Sequence, residues 1–256
     1  NNLIYLNKMI LALIPARFAS KRLPGKPLIK IDNLPLIIHI YKRALMSKKI
    51  DKVIVCADDK RIKEIVEHYG GICELTKKSH KNGTERIAEI SLKYKKKAKL
   101  IIDIQCDEIF LNPKHVDKLI SFHLKNKEFD IIVPNCRISK NDAKNINTVK
   151  IIAGSHKKIV YMTRSMAPSF FRSKIKFDYR KHLDFISFRP TSLHKYVKLK
   201  KSINENNEGI ELNRAIDNNF KLGTYEVKTN AFSINTNKDL AKAKNMIRKC
   251  KIRKKY

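Results

Sequence analysis

A mostly parallel, doubly wound α/β sheet is the fold class this chain predicts, on three observations. Short apolar runs such as Ile10–Ile14 and Val53–Ala57 read as strands buried on both faces. Segments with apolar residues at helical spacing separate them. The two stretches richest in suggestive polar residues follow Ile14 and Ile104, at strand carboxyl ends, where such sheets bind ligands.

The elements follow in order. Residues 1–8 precede Met9 and read as an extension of little consequence, after which Ile10–Ile14 forms the first strand. A polar, basic loop runs from Pro15 to Pro27. Pro35 then opens a helix that packs through Leu36, Ile37, Ile40, Ala44 and Leu45. Val53–Ala57 is a second strand, Arg61–Tyr69 a helix ended by Gly70-Gly71, and Ile72–Leu75 a third strand. Glu85–Tyr94 reads as a helix capped by Thr84. Leu100–Gln105 is a fourth strand, running straight into Asp107-Glu108. Beyond it the alternation is less clean: Lys114–Leu124 is helical, and Ile131–Asn135, Val149–Ala153 and His182–Phe188 are strands. Glu208–Asn219 is helical, Thr224–Val227 and Ala231–Ile234 are extended, and Asp239–Arg248 is a closing helix. No linker rich in Gly, Pro or Ser and no internal repeat divides the chain. Residues 1–256 are therefore expected to form one domain, with less regular inserted elements around 150–220.

Composition excludes several classes. The 256 residues include 43% hydrophobic and 31% charged side chains, five Cys and seven Gly, so collagen-like, disulfide-scaffold and membrane-spanning readings are disfavoured. The cysteines (56, 73, 106, 136 and 250) form no CxxC pair or metal-ligand spacing, which fits reduced thiols and a cytoplasmic protein. The 56 Lys+Arg against 24 Asp+Glu give a net charge of +32. These cations are spread along the chain without interleaved aromatics, so surface solvation is the preferred reading and nucleic acid is not an expected partner. The other reading of the charge is a field that attracts an anionic substrate.

Chemistry concentrates in the loop Ile14-Pro15-Ala16-Arg17-Phe18-Ala19-Ser20-Lys21-Arg22-Leu23-Pro24-Gly25-Lys26-Pro27. Arg17, Lys21, Arg22 and Lys26 lie within ten residues of one another on a loop leaving a strand, where guanidinium forks and an ammonium can hold a polyphosphate. It is not a Walker A loop, because Pro27 follows Gly25-Lys26 and the upstream glycine is missing. Asp107-Glu108 offers hard oxygen ligands of the kind Mg²⁺ prefers.

The run IPARFASKRLPGKPL resembles the signature of the cytidylyltransferases that activate 3-deoxy-manno-octulosonate (Kdo). Further stretches are similar to that family in order and spacing: His80-Lys81-Asn82-Gly83-Thr84-Glu85-Arg86, Ile104-Gln105-Cys106-Asp107-Glu108, and Arg164, Pro168 and His182-Leu183. The likeness covers about Ile10 to Leu240, and is specific in the first 110 residues. It implies a nucleotide-diphospho-sugar transferase-like (Rossmann-like) fold, a dimerising element in the second half, a homodimer and Mg²⁺ as cofactor. It also implies transfer of CMP from CTP to the anomeric hydroxyl of a 2-keto sugar acid, with release of pyrophosphate, as a step of lipopolysaccharide precursor activation. Carried over by position, Arg17, Lys26 and Asp107 are catalytic, and Ala16, Arg17, Ser20, Arg22, Lys26, Asn82, Gly83 and Gln105 bind CTP. Gln105, Arg164, His182 and Glu211 face the sugar, and Asp107 and Asn235 hold the metal.

This sequence departs from the family pattern at Asn82, where Ser is usual, at Cys106 and Ile109, where the family has Gly and Pro, and most of all at two places towards the C-terminus. Ile234-Asn235-Thr236-Asn237-Lys238-Asp239-Leu240 stands where the family has VDTPEDL, so Asn235 offers a carbonyl oxygen in place of a carboxylate. Arg214 and Asp217 stand where the pattern has Glu and Arg. These departures keep open a different sugar acid, such as an amino variant of Kdo or a nonulosonate, and a nucleotide-binding protein of impaired activity.

Overall fold

The computed structural model describes residues 8–19, 23–169, 171 and 179–256. The strands are β1 (Met9–Ala16), β2 (Lys30–Ile31), β3 (Leu34–Pro35), β4 (Lys52–Ala57), β5 (Cys73–Leu75), β6 (Ala98–Ile104), β7 (Ile131–Ile132), β8 (Asn135–Ile138), β9 (Lys150–Ala153), β10 (Ile159–Thr163), β11 (Tyr179–His182), β12 (Phe185–Phe188) and β13 (Leu222–Gly223). The α-helices are α1 (Leu36–Leu45), α2 (Lys60–His68), α3 (Gly83–Leu92), α4 (Pro113–Lys125), α5 (Lys140–Lys144), α6 (Pro190–Tyr196), α7 (Ile203–Glu208), α8 (Glu211–Asp217) and α9 (Asn237–Ile247).

A seven-stranded sheet in the order β13-β7-β12-β6-β1-β4-β5 forms the centre. All its pairings are parallel except those of β12, which runs antiparallel to both β6 and β7. Strand β1 shows why the fold is doubly wound. Ile10, Ala12, Ile14 and Ala16 join one core with buried residues of α1, α2, α4 and α9. Leu11 and Leu13, pointing the other way, join a second core with α3, α6 and α8. The chain leaves β1 towards β4 and β5, then returns through α3 to β6 on the other flank of β1. The carboxyl ends of β1 and β6 therefore border the crevice where strand order reverses.

The second half departs from expectation at definable points. Ile131–Asn135 is not one strand: after β7 the chain passes Pro134 and enters β8, in a separate four-stranded sheet of order β10-β9-β11-β8. Proline has no N–H to continue a ladder. His182–Phe188 likewise divides, β11 joining the small sheet and β12 the large one. Between them Leu183 donates its N–H to Pro134 O (2.9 Å) and Asp184 O accepts from Gln105 N (3.0 Å). Glu208–Asn219 is broken by Gly209, whose φ of 61° ends α7 before α8 begins. Asn82, not Thr84, caps α3, its Oδ1 accepting from Glu85 N at 2.8 Å. Thr224–Val227 adds only an isolated bridge between Asn135 and Glu226, while Ala231–Ile234 forms no ladder. The sequence reading missed β10 and the β2–β3 hairpin, whose turn holds Asp32 and Asn33 at φ of 49° and 63°.

Two buried histidines give the fold a pH dependence. His39 Nε2–H donates to Ile31 O (2.7 Å) and its Nδ1 accepts from the Tyr256 hydroxyl (3.0 Å). His123 donates to Phe129 O (3.1 Å) and accepts from the Ser187 hydroxyl (2.7 Å). Burial lowers both to about 4. Their unfolded value is near 6.5, so between pH 6.5 and 4 the unfolded chain binds more protons and stability falls as pH drops. Each contributes up to about 3 kcal/mol across that window. Urea unfolding at pH 7 and pH 5 checks this: the midpoint is expected to fall at pH 5, and to fall less in a His39→Gln/His123→Gln variant.

Candidate active site

The crevice at the ends of β1 and β6 collects most of the residues singled out from the sequence. Ala16 ends β1 and is fully buried, and Arg17 begins the loop. Arg17 Nη2 is buried without a hydrogen-bond partner among the described residues. A guanidinium nitrogen removed from water and left unpaired is costly, which suits a position reserved for an anion. Ser20 and Arg22 lie outside the described residues. Lys26 starts a 3₁₀ turn beyond Gly25, which takes φ 65°. Its ammonium bridges the crevice to Asp107 Oδ2 at 2.7 Å and Asn235 Oδ1 at 3.5 Å. Residues 81 and 209 positions apart in sequence thus meet at one point.

Asp107 follows β6, and its main-chain oxygen accepts from Ile234 N (3.2 Å), which sets the segment carrying Asn235 against it. Its Oδ1 is buried without a partner among the described residues. Burial raises the Asp107 carboxyl above the usual range, and the nearby Lys26 ammonium opposes that shift. Behind it, Glu108 is raised to about 8 by burial and by the carboxylates of Asp184 and Asp107. The Ser233 hydroxyl lies between Glu108 Oε1 (3.0 Å) and Asp184 Oδ2. One hydroxyl proton serves one acceptor, so the protonated Glu108 acid completes the link.

Asn82 and Gly83 form the turn at the start of α3, beside β1. A Cβ on Gly83 would stand 3.1 Å and 3.2 Å from Pro15 ring carbons and 3.7 Å from Gln105 Oε1, so glycine permits the close approach. Gln105 Nε2 donates to both oxygens of Asp103, at 3.0 and 2.9 Å. Asp103 is fully buried within β6, and burial followed by the charge of Glu211 pushes its carboxyl far above the ordinary range. Glu211, first residue of α8, accepts from Thr84 Oγ1 at 2.9 Å. Burial raises its carboxyl, while Thr84, Arg214 and Arg17 oppose the shift. Gln105 and Glu211 therefore reach the crevice.

Of the other two residues assigned to the sugar, His182 stands beside Asp184 at the wall of the crevice, and Arg164 is engaged elsewhere. His182 Nε2 is 3.5 Å from Asp184 Oδ1, and its Nδ1 is buried without a partner among the described residues. The Arg164 guanidinium donates to the main-chain oxygens of Glu208 (2.6 Å), Ile146 (3.0 Å) and Gly209 (3.3 Å), tying β10 to the end of α7. Sequence reading missed Asp103, Asp184 and Ser233. Only Asp103 carried a signal: a carboxylate in the middle of the apolar run Leu100-Ile101-Ile102-Asp103-Ile104.

The exchange of charges in α8 resolves within the protein. Arg214 forms a two-point pair with Glu205 (2.7 and 2.6 Å), both side chains 4% exposed. Asp217 accepts from Asn204 Nδ2 at 2.8 Å. Both altered residues thus brace α7 against α8, with Arg214 neutralised by Glu205.

The family model for cytidylyltransferases matches residues 11–252. The 3-deoxy-manno-octulosonate cytidylyltransferase of Pelobacter propionicus is 32% identical over 251 residues, 93% of this chain and 97% of that protein. The protein of the same name from Leptospira interrogans is 35% identical over 236 residues, 91% of this chain and 94% of its own length. Among solved structures, CMP:2-keto-3-deoxy-manno-octonic acid synthetase complexed with CTP superposes with a TM-score of 0.90 at 30% identity, covering 94% of this chain and 99% of that one. The 4-diphosphocytidyl-2C-methyl-D-erythritol synthase of Anaerococcus prevotii, 15% identical with a TM-score of 0.62, shares the fold. Basic loop, crevice and relatives converge: the chain belongs to the cytidylyltransferase family and is a nucleotidyltransferase enzyme.

Proposed function

We propose that this enzyme transfers CMP from CTP to the anomeric hydroxyl of Kdo and releases pyrophosphate. One observation carries the reading: Arg17 Nη2 and Asp107 Oδ1, both buried and unpartnered among the described residues, belong to a crevice in which Lys26 already neutralises Asp107. Such a crevice receives a polyanion on its guanidinium and ammonium and keeps a carboxylate for a cation. The displaced pyrophosphate gathers negative charge as the hydroxyl oxygen bonds to the α-phosphorus. Arg17 and Lys26 lower the barrier by neutralising that charge in a site already organised for it. Gln105 and Glu211 supply an amide and a carboxyl to hold the hydroxyls of the sugar acid. The Asn82-Gly83 turn, backed against Pro15, presents main-chain groups to the cytosine edge.

Mg²⁺ fits this donor set. The Lys26 ammonium stands between Asp107 Oδ2 and Asn235 Oδ1, which supports reading that spot as one that takes positive charge. Among the described residues no three His, Cys, Asp or Glu side chains converge as a metal cage. A cation held by few protein oxygens and completed by phosphate and water is the habit of Mg²⁺. Asp107 and Asn235 would hold it, and it would supply charge neutralisation and orientation at the phosphates. With one carboxylate in place of two, Asn235→Asp is expected to raise Mg²⁺ affinity roughly tenfold, since ligand charge sets affinity at such sites. Calorimetric titration with Mg²⁺ in the presence of CTP, beside the Mg²⁺ dependence of the rate, checks this.

The enzyme is proposed to act in the cytoplasm, in a pathway that supplies activated sugar to lipopolysaccharide. No helix among the described residues is long and apolar enough to cross a membrane. A homodimer is proposed through the small sheet and its surroundings, where Ile146, Val160, Met166, Phe171 and Ile203 expose large apolar side chains. Because Arg214 is neutralised by Glu205, the exchange in α8 gives no ground for a sugar acid other than Kdo. Pyrophosphate release with CTP and a panel of Kdo, amino-Kdo and nonulosonates tests the choice. Release with Kdo is expected, and release with another acid alone would overturn it.

A further inference from the structure

The described limbs of the basic loop, residues 17–19 and 23–26, are held from outside the crevice. The Phe18 N–H donates to Asp58 Oδ1 at 2.9 Å, and Phe18 O accepts from Gly25 N at 3.1 Å. The same residue thereby fixes the outgoing and the returning limb of the loop between Arg17 and Lys26. Its ring lies under the Arg61 guanidinium, 3.5 Å from carbon to centroid, and Arg61 is held by Asp59 at 2.8 and 2.7 Å. Asp58 has a second partner. Its Oδ2 faces Arg86 Nη2 at 3.4 Å, and Arg86 is fully buried in α3. Arg86 also donates to Thr76 Oγ1, which donates in turn to Ala57 O at 2.9 Å. A continuous polar chain thus joins the residues following β1, β4 and β5 to the helix that begins at the Asn82-Gly83 turn.

We propose that Asp58 is a positioning residue for nucleotide binding: its carboxylate couples the phosphate-binding loop, through the Phe18 N–H, to Arg86 and the base-reading end of α3. The arrangement explains why a buried guanidinium is maintained there. Arg86 is the counter-charge that holds the Asp58 carboxylate aimed at the loop, and Asp58 gives Arg86 an ion-pair partner. The Phe18–Arg61 stack adds an apolar and cationic clamp on the same residue. Asp58 touches no substrate in this account. It acts through Arg17, whose main chain is continuous with Phe18. The proposal rests on the reading that the basic loop holds the triphosphate of CTP.

The test is CTP affinity and steady-state kinetics of the full chain bearing Asp58→Ala, Asp58→Asn or Arg61→Ala, with thermal unfolding measured alongside. Asp58→Ala is expected to raise Kd and KM for CTP about tenfold, the loss of one charge-assisted hydrogen bond, while KM for Kdo stays within about twofold. Asp58→Asn keeps an oxygen for the Phe18 N–H and is expected to recover CTP affinity to within about threefold of wild type. Arg61 is largely exposed, so Arg61→Ala leaves folding intact and is expected to weaken CTP about threefold by freeing the Phe18 ring. Unchanged CTP affinity in Asp58→Ala overturns the proposal, as does a loss shared equally by CTP, Kdo and thermal stability. If Asp58→Ala does not fold, Arg61→Ala decides: weakened CTP binding supports the clamp and unchanged binding overturns it. Wild-type enzyme that binds no CTP would contradict the proposed function itself, and this inference with it.

Discussion

Asp107→Asn is expected to lower kcat by about three orders of magnitude, the scale of several kcal/mol of lost charge stabilisation at a phosphoryl group. The substitution keeps side-chain volume and one oxygen but removes the anion that Lys26 pairs with. Because burial raises the Asp107 carboxyl, ionising it already costs the folded state, and a neutral amide removes that cost. The relief of that cost is offset by the Lys26 ammonium left without its counter-charge, so the variant should unfold near the wild-type temperature while being nearly inactive. Measuring kcat and Tm on one preparation checks both halves. A kcat within tenfold of wild type would remove Asp107 from the chemistry.

Arg17→Ala has the second-largest expected effect, with function lost and stability kept. The guanidinium leaves Nη2 buried and unpaired among the described residues, a cost that a bound triphosphate would repay. Truncation should weaken CTP by roughly 1.5–3 kcal/mol, the range for hydrogen bonds to charged groups. It should not lower, and should slightly raise, the stability of the ligand-free protein. Competition binding with CTP and denaturant unfolding without it separate the two. Lys26→Ala differs, because it strips the neutralising partner from Asp107. That variant is expected to lose both CTP affinity and stability.

The legible parts of this protein are those that depend on local pattern. The run Ile10–Ile14 is buried on both faces, and the loop after it carries its cations in a short span. Both could be read without neighbours, and the alternation up to Gln105 then required β1 and β6 to lie in one sheet. That is enough to bring Lys26 to Asp107 across 81 residues. What escaped reading depends on partners far away in sequence. His182–Phe188 looks like one strand because its apolar residues continue through Leu183, yet the chain changes sheets there. The charge exchange at Arg214 looked like a change in the acceptor pocket until Glu205 was found beside it. Asp58 lies between a strand and a helix and Arg86 inside a helix, and nothing local distinguishes a carboxylate that ties down a loop 40 residues away. Asn82 outcompeted Thr84 as the cap because the helix begins a residue before Thr84, which frees the Thr84 hydroxyl to bind Glu211.

The most direct measurement is phosphorus NMR of the purified enzyme incubated with CTP, Mg²⁺ and Kdo. A sugar-linked CMP phosphodiester and pyrophosphate are expected in equal amounts, with no reaction when ATP, GTP or UTP replaces CTP. Binding of CTP with no phosphodiester formed from Kdo would contradict the proposed transfer.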